Sequence, residues 1–493
     1  MASEILSTTD CETIVKNYLN RNDFEVMWYN LKPFFSEVNG FLGEHLLLLI
    51  DVKIKERTTT LRFFTKRFPF EHPMQSQYLN SMQGWQREIY FFETFLPNLE
   101  RTLPGYSLDF VPRYLLGKPN DIIVFEDLTL RNFDLPRKPS LNLLDNQHIC
   151  LAIKALAKYH AGSLAYEEYK SRELGKPYRL YSGEEELIKE PLIRKEEGFL
   201  GYDWFKAGVS GLRALINRVY KGEKPLEEVN AKFEILVEKA LQLMFPHSNF
   251  RNVLAHGDLW AKNIMYQYEG DSSEPINVLL VDFQLQRYNV PIHDVLLFIS
   301  LTTNRETKQK YFTFYLNYYY KEICNQLQSL NVSPEEVSMA YDEFLGSVTF
   351  IMPEIKIQGA LQRLQQCGNK DFYTKLLGNK EEFIKFVFGD KTPFALELFD
   401  TDDNFRGLLT EAVEEVIESC LYPEIFREDC YRILEDTLGK SAYELKQYKT
   451  ETIDEKEFLF KLEITVVIEK NEKEFKFLVQ NKPLGFAKVI KKL

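Results

Sequence analysis

Hydrophobic and polar positions alternate along the first part of the chain as they do in β-strands. Residues 43–69 contain two alternating apolar runs separated by the polar stretch KERTTT, which predicts a β-hairpin. Helical spacing precedes this hairpin at 9–19 and follows it at 81–96, and two more strand-like runs occupy 108–117 and 121–128. We therefore expect a small antiparallel sheet with one helix, and a short amphipathic helix before it.

Beyond that sheet the pattern changes to the spacing of helices. Residues 147–163 place apolar side chains on one face, and 311–323 combine helical spacing with many aromatic residues. The region around 253–283 returns to strand-like runs. This order predicts an α+β fold of two lobes, with residues 1–126 as the small lobe and 127–440 as the helical lobe. Ligands favour the crevice between such lobes.

The C-terminal segment has strand spacing again. Residues 456–483 predict a second β-hairpin. Laid without gaps on residues 44–69, the matching stretch shares six residues in 26 positions. We therefore treat residues 441–493 as a third segment, which is either a truncated second small lobe or an added hairpin that packs on the first.

Composition narrows the class of protein. The chain has 493 residues, of which 45% are hydrophobic and 27% charged, so two or three packed units are expected. Its net charge of −12 repels a phosphate backbone, and we expect no nucleic-acid partner. The six cysteines show no CxxC spacing, which is typical of free thiols in a reducing compartment. No membrane span is evident, so we expect a soluble cytoplasmic protein; no protein partner can be inferred.

The stretch VLAHGDLWAKNIM, residues 253–265, concentrates polar residues directly after a strand-like run. Asp258 and Asn263 are five positions apart, as are the aspartate and asparagine of the protein-kinase catalytic loop. Further on, Asp282 ends an apolar run and precedes Phe283, as a kinase DFG aspartate does. Carboxylate and amide oxygens from separate segments suit Mg²⁺ that is completed by phosphates and water. Together these spacings predict a site that holds magnesium and transfers a phosphoryl group.

Each of these polar residues has a simpler interpretation when it is taken alone. Asp258 or Asn263 by itself would cap or bridge a turn. We interpret His256 as a brace of the loop and Trp260 as a packing residue, and Asp294 in PIHDVLLFI as a helix cap or a loop brace. The combined spacing is what favours a catalytic function.

Further candidate residues lie upstream. Lys66 is on the second strand of the predicted hairpin and Glu88 on the following helix, and such a pair aims an ammonium at nucleotide phosphates in kinases. Alternatively, the two residues are ordinary surface charges, Lys66 on an edge strand and Glu88 on the solvent-facing side of a helix. The stretch NGFLGEH, residues 39–45, has two glycines and is a weak glycine-rich loop. The stretch VFEDL, residues 124–128, lies where the chain leaves the small lobe and is the predicted hinge. An adenine bound in the cleft would form hydrogen bonds with backbone groups of Glu126 and Leu128.

These motifs resemble those of the ecdysteroid kinase-like family, also called CHK kinase-like, within the choline and aminoglycoside kinase group. The resemblance extends from about residue 30 to about residue 437. It is carried by GFLGEHLLLLIDV, FFTKRFP, REIYFFETFLP, IVFEDL, LAKYHAGS, VLAHGDLWAKNIM, VLLVDFQ and PIHDVLLF.

The resemblance implies a two-lobed protein-kinase-like fold, and the extra hairpin predicted at the C-terminus lies outside the family's usual extent. It implies Asp258 as the catalytic base and Asn263 and Asp282 as magnesium ligands. It also implies that Lys66 binds the phosphates and is held by Glu88. ATP would be the phosphoryl donor, and the acceptor would be a hydroxyl of a moulting steroid or of a plant or xenobiotic alcohol.

Two other functions are weighed against this interpretation. A catalytically weak, pseudokinase-like binding protein for an apolar ligand is suggested by the weak glycine loop and by an aromatic content of 14%. A protein kinase is disfavoured, because no A-P-E segment follows Asp282 and a long helical stretch does.

Overall fold

The computed structural model describes most of the chain. The described residues are 5–34, 43–70, 73–137, 142–182, 185–196, 199–366, 379–439, 443–457, 459–468, 470–481 and 487–493.

The small lobe is a five-stranded antiparallel sheet with a helix on one face. Its strands lie side by side in the order β1-β2-β3-β5-β4. The helix and strands are α1 (Thr8–Leu19), β1 (Glu25–Pro33), β2 (Glu44–Ile54), β3 (Arg57–Arg67), β4 (Tyr114–Lys118) and β5 (Ile122–Glu126).

The hairpin predicted at 43–69 is confirmed as β2 and β3. Side chains alternate between the two faces of a strand, and in β2 the alternate residues Leu48, Ile50 and Val52 are fully buried. They pack with Phe63 of β3 and with the apolar side of α1. This packing makes β3 a rigid support for Lys66.

Strand β1 has no counterpart among the predicted elements. Its sequence does not alternate cleanly, since Met27 and Trp28 are both exposed and a bulge lies between Val26 and Trp28. Pairing with β2, rather than the strand's own pattern, therefore decides its structure.

The helix predicted at 81–96 is part of a longer helical segment that follows β3. This segment comprises α2 (Pro73–Met82), α3 (Gly84–Tyr90), a π-helical turn (Phe91–Phe95) and α4 (Leu96–Thr102). The strand-like run at 108–117 is shorter than predicted, because β4 begins only at Tyr114.

The second lobe is mostly helical, as predicted. Helix α5 (Asn146–Leu174) begins after Asp145, whose carboxylate accepts hydrogen bonds from the backbone N–H groups of Gln147 and His148. The other helices are α6 (Leu200–Val219), α7 (Leu226–Leu243), α8 (Ile292–Thr302), α9 (Arg305–Ser329), α10 (Tyr341–Gln366), α11 (Lys380–Phe388), α12 (Thr392–Thr401), α13 (Asp403–Leu421) and α14 (Arg427–Leu438). Across the described residues, no helix has the length and apolar character needed to cross a bilayer.

Two short antiparallel sheets hold the polar motifs between the lobes. In one of them β7 (Val253–Ala255) pairs with β10 (Arg287–Asn289). In the other, β8 (Ile264–Tyr268) lies between β6 (Phe133–Asp134) and β9 (Pro275–Leu280). The catalytic-loop stretch runs from the end of β7 to the start of β8.

The C-terminal segment is a four-stranded antiparallel sheet rather than a single hairpin. Its strands, in order, are β11 (Glu444–Asp454), β12 (Leu459–Ile468), β13 (Asn471–Gln480) and β14 (Lys488–Lys492). The predicted hairpin is β12 and β13, and pairing with the two flanking strands completes the sheet.

One face of this C-terminal sheet packs on the helical lobe. Leu462 and Val466 are fully buried, and the Tyr448 hydroxyl donates to the carbonyl oxygen of Ile425 over 3.2 Å. The division of the chain at 126 and 440 stays a prediction, and residues 440–442 lie outside the described residues.

Candidate active site

The predicted pair of Lys66 and Glu88 forms a buried salt bridge. Lys66 Nζ on β3 lies 2.7 Å from Glu88 Oε2 on α3 and 3.0 Å from Asp282 Oδ1. Burial disfavours the charge of Lys66, but the carboxylates of Asp282 and Glu88 outweigh it and raise the pKa of the lysine. Burial raises the pKa of Glu88 despite the adjacent ammonium. The ammonium therefore stays charged and links the small lobe to the helical lobe.

Asp282 lies at the end of β9 in a strained backbone conformation. Its φ of 69° and ψ of 69° fall in the left-handed region, which costs a non-glycine residue about 1–2 kcal/mol. Burial opposes its charge, but the ammonium of Lys66 prevails and lowers the pKa of the Asp282 carboxyl. The side chain is 36% exposed, so a ligand in the cleft can reach it.

Asp258 and Asn263 contact each other directly. The Asn263 amide nitrogen Nδ2 donates to the backbone oxygen of Asp258 over 2.8 Å and to its Oδ2 over 3.0 Å. Burial, and then the nearby charge of Asp282, raise the pKa of Asp258 to about 8. Asp258 is therefore a carboxylate with a raised proton affinity that is held by a neighbouring amide.

Asn263 and Asp282 lie at neighbouring ends of paired strands. Ile264 of β8 is opposite Leu280 of β9, and the Val281 N–H donates to the Asn263 backbone oxygen over 3.1 Å. Since the Asn263 amide nitrogen faces Asp258, its carbonyl oxygen Oδ1 is left for another partner. An amide oxygen and a partly exposed carboxylate are a donor set that fits Mg²⁺. Among the described residues, no three His, Cys, Asp or Glu side chains form a metal cluster.

The loop that carries Asp258 is braced from behind by Asp294, as its position predicted. Asp294 Oδ2 and Oδ1 accept hydrogen bonds from the backbone N–H groups of His256 and Gly257, over 2.6 and 2.9 Å. His160 Nε2 lies 3.1 Å from the same carboxylate, so His160 is a buried core residue with a partner.

His256 is a brace of the loop as well. Its Nε2 donates to the carbonyl oxygen of Val281 over 3.0 Å, and its Nδ1 accepts from the backbone N–H of Asp258 over 3.3 Å. These two partners fix the neutral tautomer, and burial lowers the pKa of the ring. Trp260 is a packing residue, with Lys262 Nζ 5.4 Å from its ring centre.

The predicted hinge residues lie where the chain leaves the small-lobe sheet. Glu126 ends β5, and its Oε1 accepts from the Arg113 backbone N–H over 3.0 Å and lies 2.9 Å from Arg131 Nη1. Leu128 begins a 3₁₀ turn and is buried. The glycine-rich stretch at 39–45 falls mostly outside the described residues.

One residue at the site was not singled out by the sequence. Gln362 on α10 places its amide nitrogen Nε2 3.4 Å from Asp258 Oδ1. Two glutamines four positions apart, Gln358 and Gln362, in an apolar helix were the available signal.

Comparison with known proteins places the chain in a family. The sequence profile of the ecdysteroid kinase-like family matches residues 40–332, which is more than half of the chain. A search of curated proteins finds no significant match.

Similar solved structures are phosphotransferases. They include the GDP complexes of an aminoglycoside 2'-phosphotransferase-IIIa mutant (12% identity, 81% of this chain, 98% of that chain, TM-score 0.35) and of the wild type (11%, 84%, 98%, 0.32). Macrolide 2'-phosphotransferase MphH from Brachybacterium faecium is similar at 11% identity, 84% and 99% coverage and a TM-score of 0.31.

The sheet lobe, the helical lobe and the polar loop between them define a small-molecule kinase of the protein-kinase-like fold. The family match makes the assignment specific: the chain belongs to the ecdysteroid kinase-like family.

Proposed function

We propose that the protein transfers the terminal phosphoryl group of ATP, with Mg²⁺, to a hydroxyl of a steroid or of a xenobiotic alcohol. One observation carries the proposal: Lys66 contacts Asp282, Asp282 lies beside Asn263, and Asn263 holds Asp258. Family membership supports phosphoryl transfer to a small molecule.

Asp258 is the proposed base. In the transfer step the acceptor oxygen attacks the terminal phosphorus, the bond to the bridging oxygen breaks, and the hydroxyl proton passes to the Asp258 carboxylate. Burial raises the pKa of this carboxyl to about 8, which favours taking up a proton.

Lys66 is proposed to bind the phosphates from the side of the small lobe. Glu88 fixes its ammonium at 2.7 Å, and the same ammonium lies 3.0 Å from Oδ1 of Asp282, the proposed magnesium ligand. Asn263 and Asp282 would hold the magnesium ion, which when bound neutralises phosphate charge. The backbone of Glu126 and Leu128 is proposed to bind the adenine.

An apolar acceptor is supported by membership of the ecdysteroid kinase-like family. The helices also carry packed aromatic side chains, such as Tyr78 on α2 and Phe388 on α11, whose ring centres lie 5.4 Å apart. Binding sites for small molecules are lined mainly by apolar and aromatic side chains, which suits the skeleton of a steroid or a similar alcohol.

The test is phosphoryl transfer from ATP to a panel of steroid and plant alcohols, read by mass spectrometry as added phosphate. Asp258→Asn should lower the rate roughly 10²- to 10⁴-fold, as expected for loss of a general base. An unchanged rate in Asp258→Asn would refute the assignment of the base.

A thermal-unfolding titration separates the proposal from a binding protein without turnover. The kinase should be stabilised by ATP with Mg²⁺, because a ligand that binds the folded state raises the melting temperature. Stabilisation by steroid alone would favour the binding protein. The cytoplasmic location stays a prediction.

A further inference from the structure

Helix α10 carries three buried polar residues along one face. Glu354, Gln358 and Gln362 are four positions apart, so they lie above one another on the helix. Their side chains are at most 5% exposed. Burying three polar groups in a row is costly unless each has a partner.

This face of α10 is directed at the proposed catalytic loop. At one end, Glu354 Oε1 lies 3.3 Å from His293 Nε2, next to the Asp294 that braces the loop. At the other end, Gln362 Nε2 lies 3.4 Å from Asp258 Oδ1. Gln358 lies between them, four residues or about 6 Å along the helix axis from Gln362.

Among the described residues, the two glutamines have polar atoms without a partner. Both amide atoms of Gln358 and the oxygen Oε1 of Gln362 are buried and accept or donate no hydrogen bond. A buried group of this kind is rare in native proteins and needs an explanation, because its lost hydrogen bond to water is not replaced.

Two other buried polar residues of α10, Lys356 and Arg363, have structural partners. Arg363 donates to the carbonyl oxygens of Ser300 and Thr303, which ties α10 to the end of α8. Lys356 is paired with Glu415 and Glu428. The glutamine face is therefore distinguished by its open hydrogen-bonding groups and by its contact with Asp258.

We propose that Gln362 orients the acceptor alcohol, in a step that rests on the proposed function. Its amide nitrogen holds Oδ1 of Asp258, and its free oxygen Oε1 accepts a hydrogen bond from a second hydroxyl of the acceptor. Gln358 offers a further donor and acceptor one turn away. The preferred acceptor is then an apolar skeleton with two neighbouring hydroxyls, of which one is phosphorylated and the other is bound by Gln362.

The experiment compares two steroid probes in the full-length protein. Estriol carries two neighbouring hydroxyls on its five-membered ring, and estradiol lacks one of them. We expect kcat/KM to be about tenfold higher for estriol, the value of one hydrogen bond. Gln362→Met keeps the unbranched shape but removes the amide, and it should abolish this preference while leaving the KM for ATP unchanged.

A structural role of Gln362 would lower the rates for both steroids equally. Gln328→Met, at an exposed position of α9, is the matched control and should keep the wild-type preference. Thermal unfolding of both variants checks that they fold. A preference that persists in Gln362→Met, or a wild type that does not prefer estriol, overturns the proposal.

If the wild type phosphorylates neither steroid, the proposed phosphoryl transfer is refuted for these probes. The role of Gln362 in acceptor binding is then tested by steroid binding. Thermal unfolding is then measured with each steroid in the absence of ATP. Greater stabilisation of the wild type by estriol, lost in Gln362→Met, supports acceptor binding by Gln362. The same difference in both proteins, or none in the wild type, overturns it.

Discussion

At the scale of single residues, the site depends on charges that are buried beside one another. Lys66 lies between Glu88 and Asp282 and is 6% exposed, so its charge is compensated by side chains rather than by water. The Lys66–Glu88 pair was predictable from the sequence because a strand lysine and a helix glutamate follow one another in a known order. The contact between Lys66 and Asp282, which are 216 positions apart, was not.

Replacing Lys66 by Met should lower phosphoryl transfer by about 100-fold or more, the typical cost of one charge-stabilising donor. The carboxylates of Glu88 and Asp282 then lose their common cation. Steady-state kinetics with varied ATP measures the change. Lys53→Met, on the exposed side of β2, should leave the rate unchanged; an equal loss in both variants contradicts the role of Lys66.

The buried pair of His293 and Glu354 predicts a pH-dependent stability. Burial opposes the charge of His293, but the Glu354 carboxylate prevails and raises the pKa of the imidazole from 6.5 to about 9. A raised folded-state pKa stabilises the protein fully below about pH 6.5, and this contribution is lost as the pH rises towards 9.

We therefore expect the free energy of unfolding to fall by as much as about 3 kcal/mol between these pH values. Urea unfolding at a series of pH values measures it. Glu354→Gln removes the charge that raises the pKa, so its stability should change much less over the same range. A variant with the wild-type pH dependence would show that another group is responsible.

At the scale of elements, backbone hydrogen bonds and backbone dihedral angles fix the conformation of the loop between β7 and β8. Asp294 accepts hydrogen bonds from two successive N–H groups, and Gly257 adopts a φ of +79°. A Cβ at Gly257 would lie 2.2 Å from the carbonyl oxygen of Leu285. The spacing of Asp258 and Asn263 predicted the loop, and Asp294 was predicted as a helix cap or a loop brace; the structure shows that it braces the loop.

Gly257→Ala should destabilise the loop by about 1–3 kcal/mol and lower activity with it, because alanine is strained at this φ and clashes with backbone. Activity and urea unfolding are the measurements. Gly407→Ala is the control: this exposed glycine of α13 has no atom within 4 Å of a Cβ. It should stabilise the protein by about 0.5–1 kcal/mol; destabilisation by both changes would contradict the argument.

At the scale of the whole molecule, the C-terminal sheet packs on the helical lobe. Leu462 of β12 is fully buried in the same core cluster as the helices, whereas Val489 of β14 is 42% exposed. The alternation of residues 456–483 predicted two of the four strands. Strand β14 was missed because it is exposed along its whole length, and β11 because its buried residues, Leu445 and Tyr448, are three positions apart rather than two.

Leu462→Ala should lower the free energy of unfolding by about 2–5 kcal/mol, the cost of a cavity in a packed core. Val489→Ala should change it by less than about 0.5 kcal/mol, as exposed positions do. Denaturant unfolding followed by tryptophan fluorescence reports on both lobes, because Trp28 and Trp85 lie in the small lobe and Trp204 and Trp260 in the helical lobe, whereas residues 441–493 contain no tryptophan. No effect of Leu462→Ala on that transition would mean that the sheet unfolds independently.

The sequence by itself determined the features that depend on local spacing. Hydrophobic residues at every second position predicted β2, β3, β12 and β13, because a strand with one buried face shows this period. The spacing of the motifs predicted Asp258, Asn263 and Asp282 as site residues. Tertiary structure decided what depends on distant contacts. It placed β5 between β3 and β4, put Asp294 behind the loop, and brought Gln362 to Asp258 across 104 positions. No local period records such a contact, because packing between separate elements creates it.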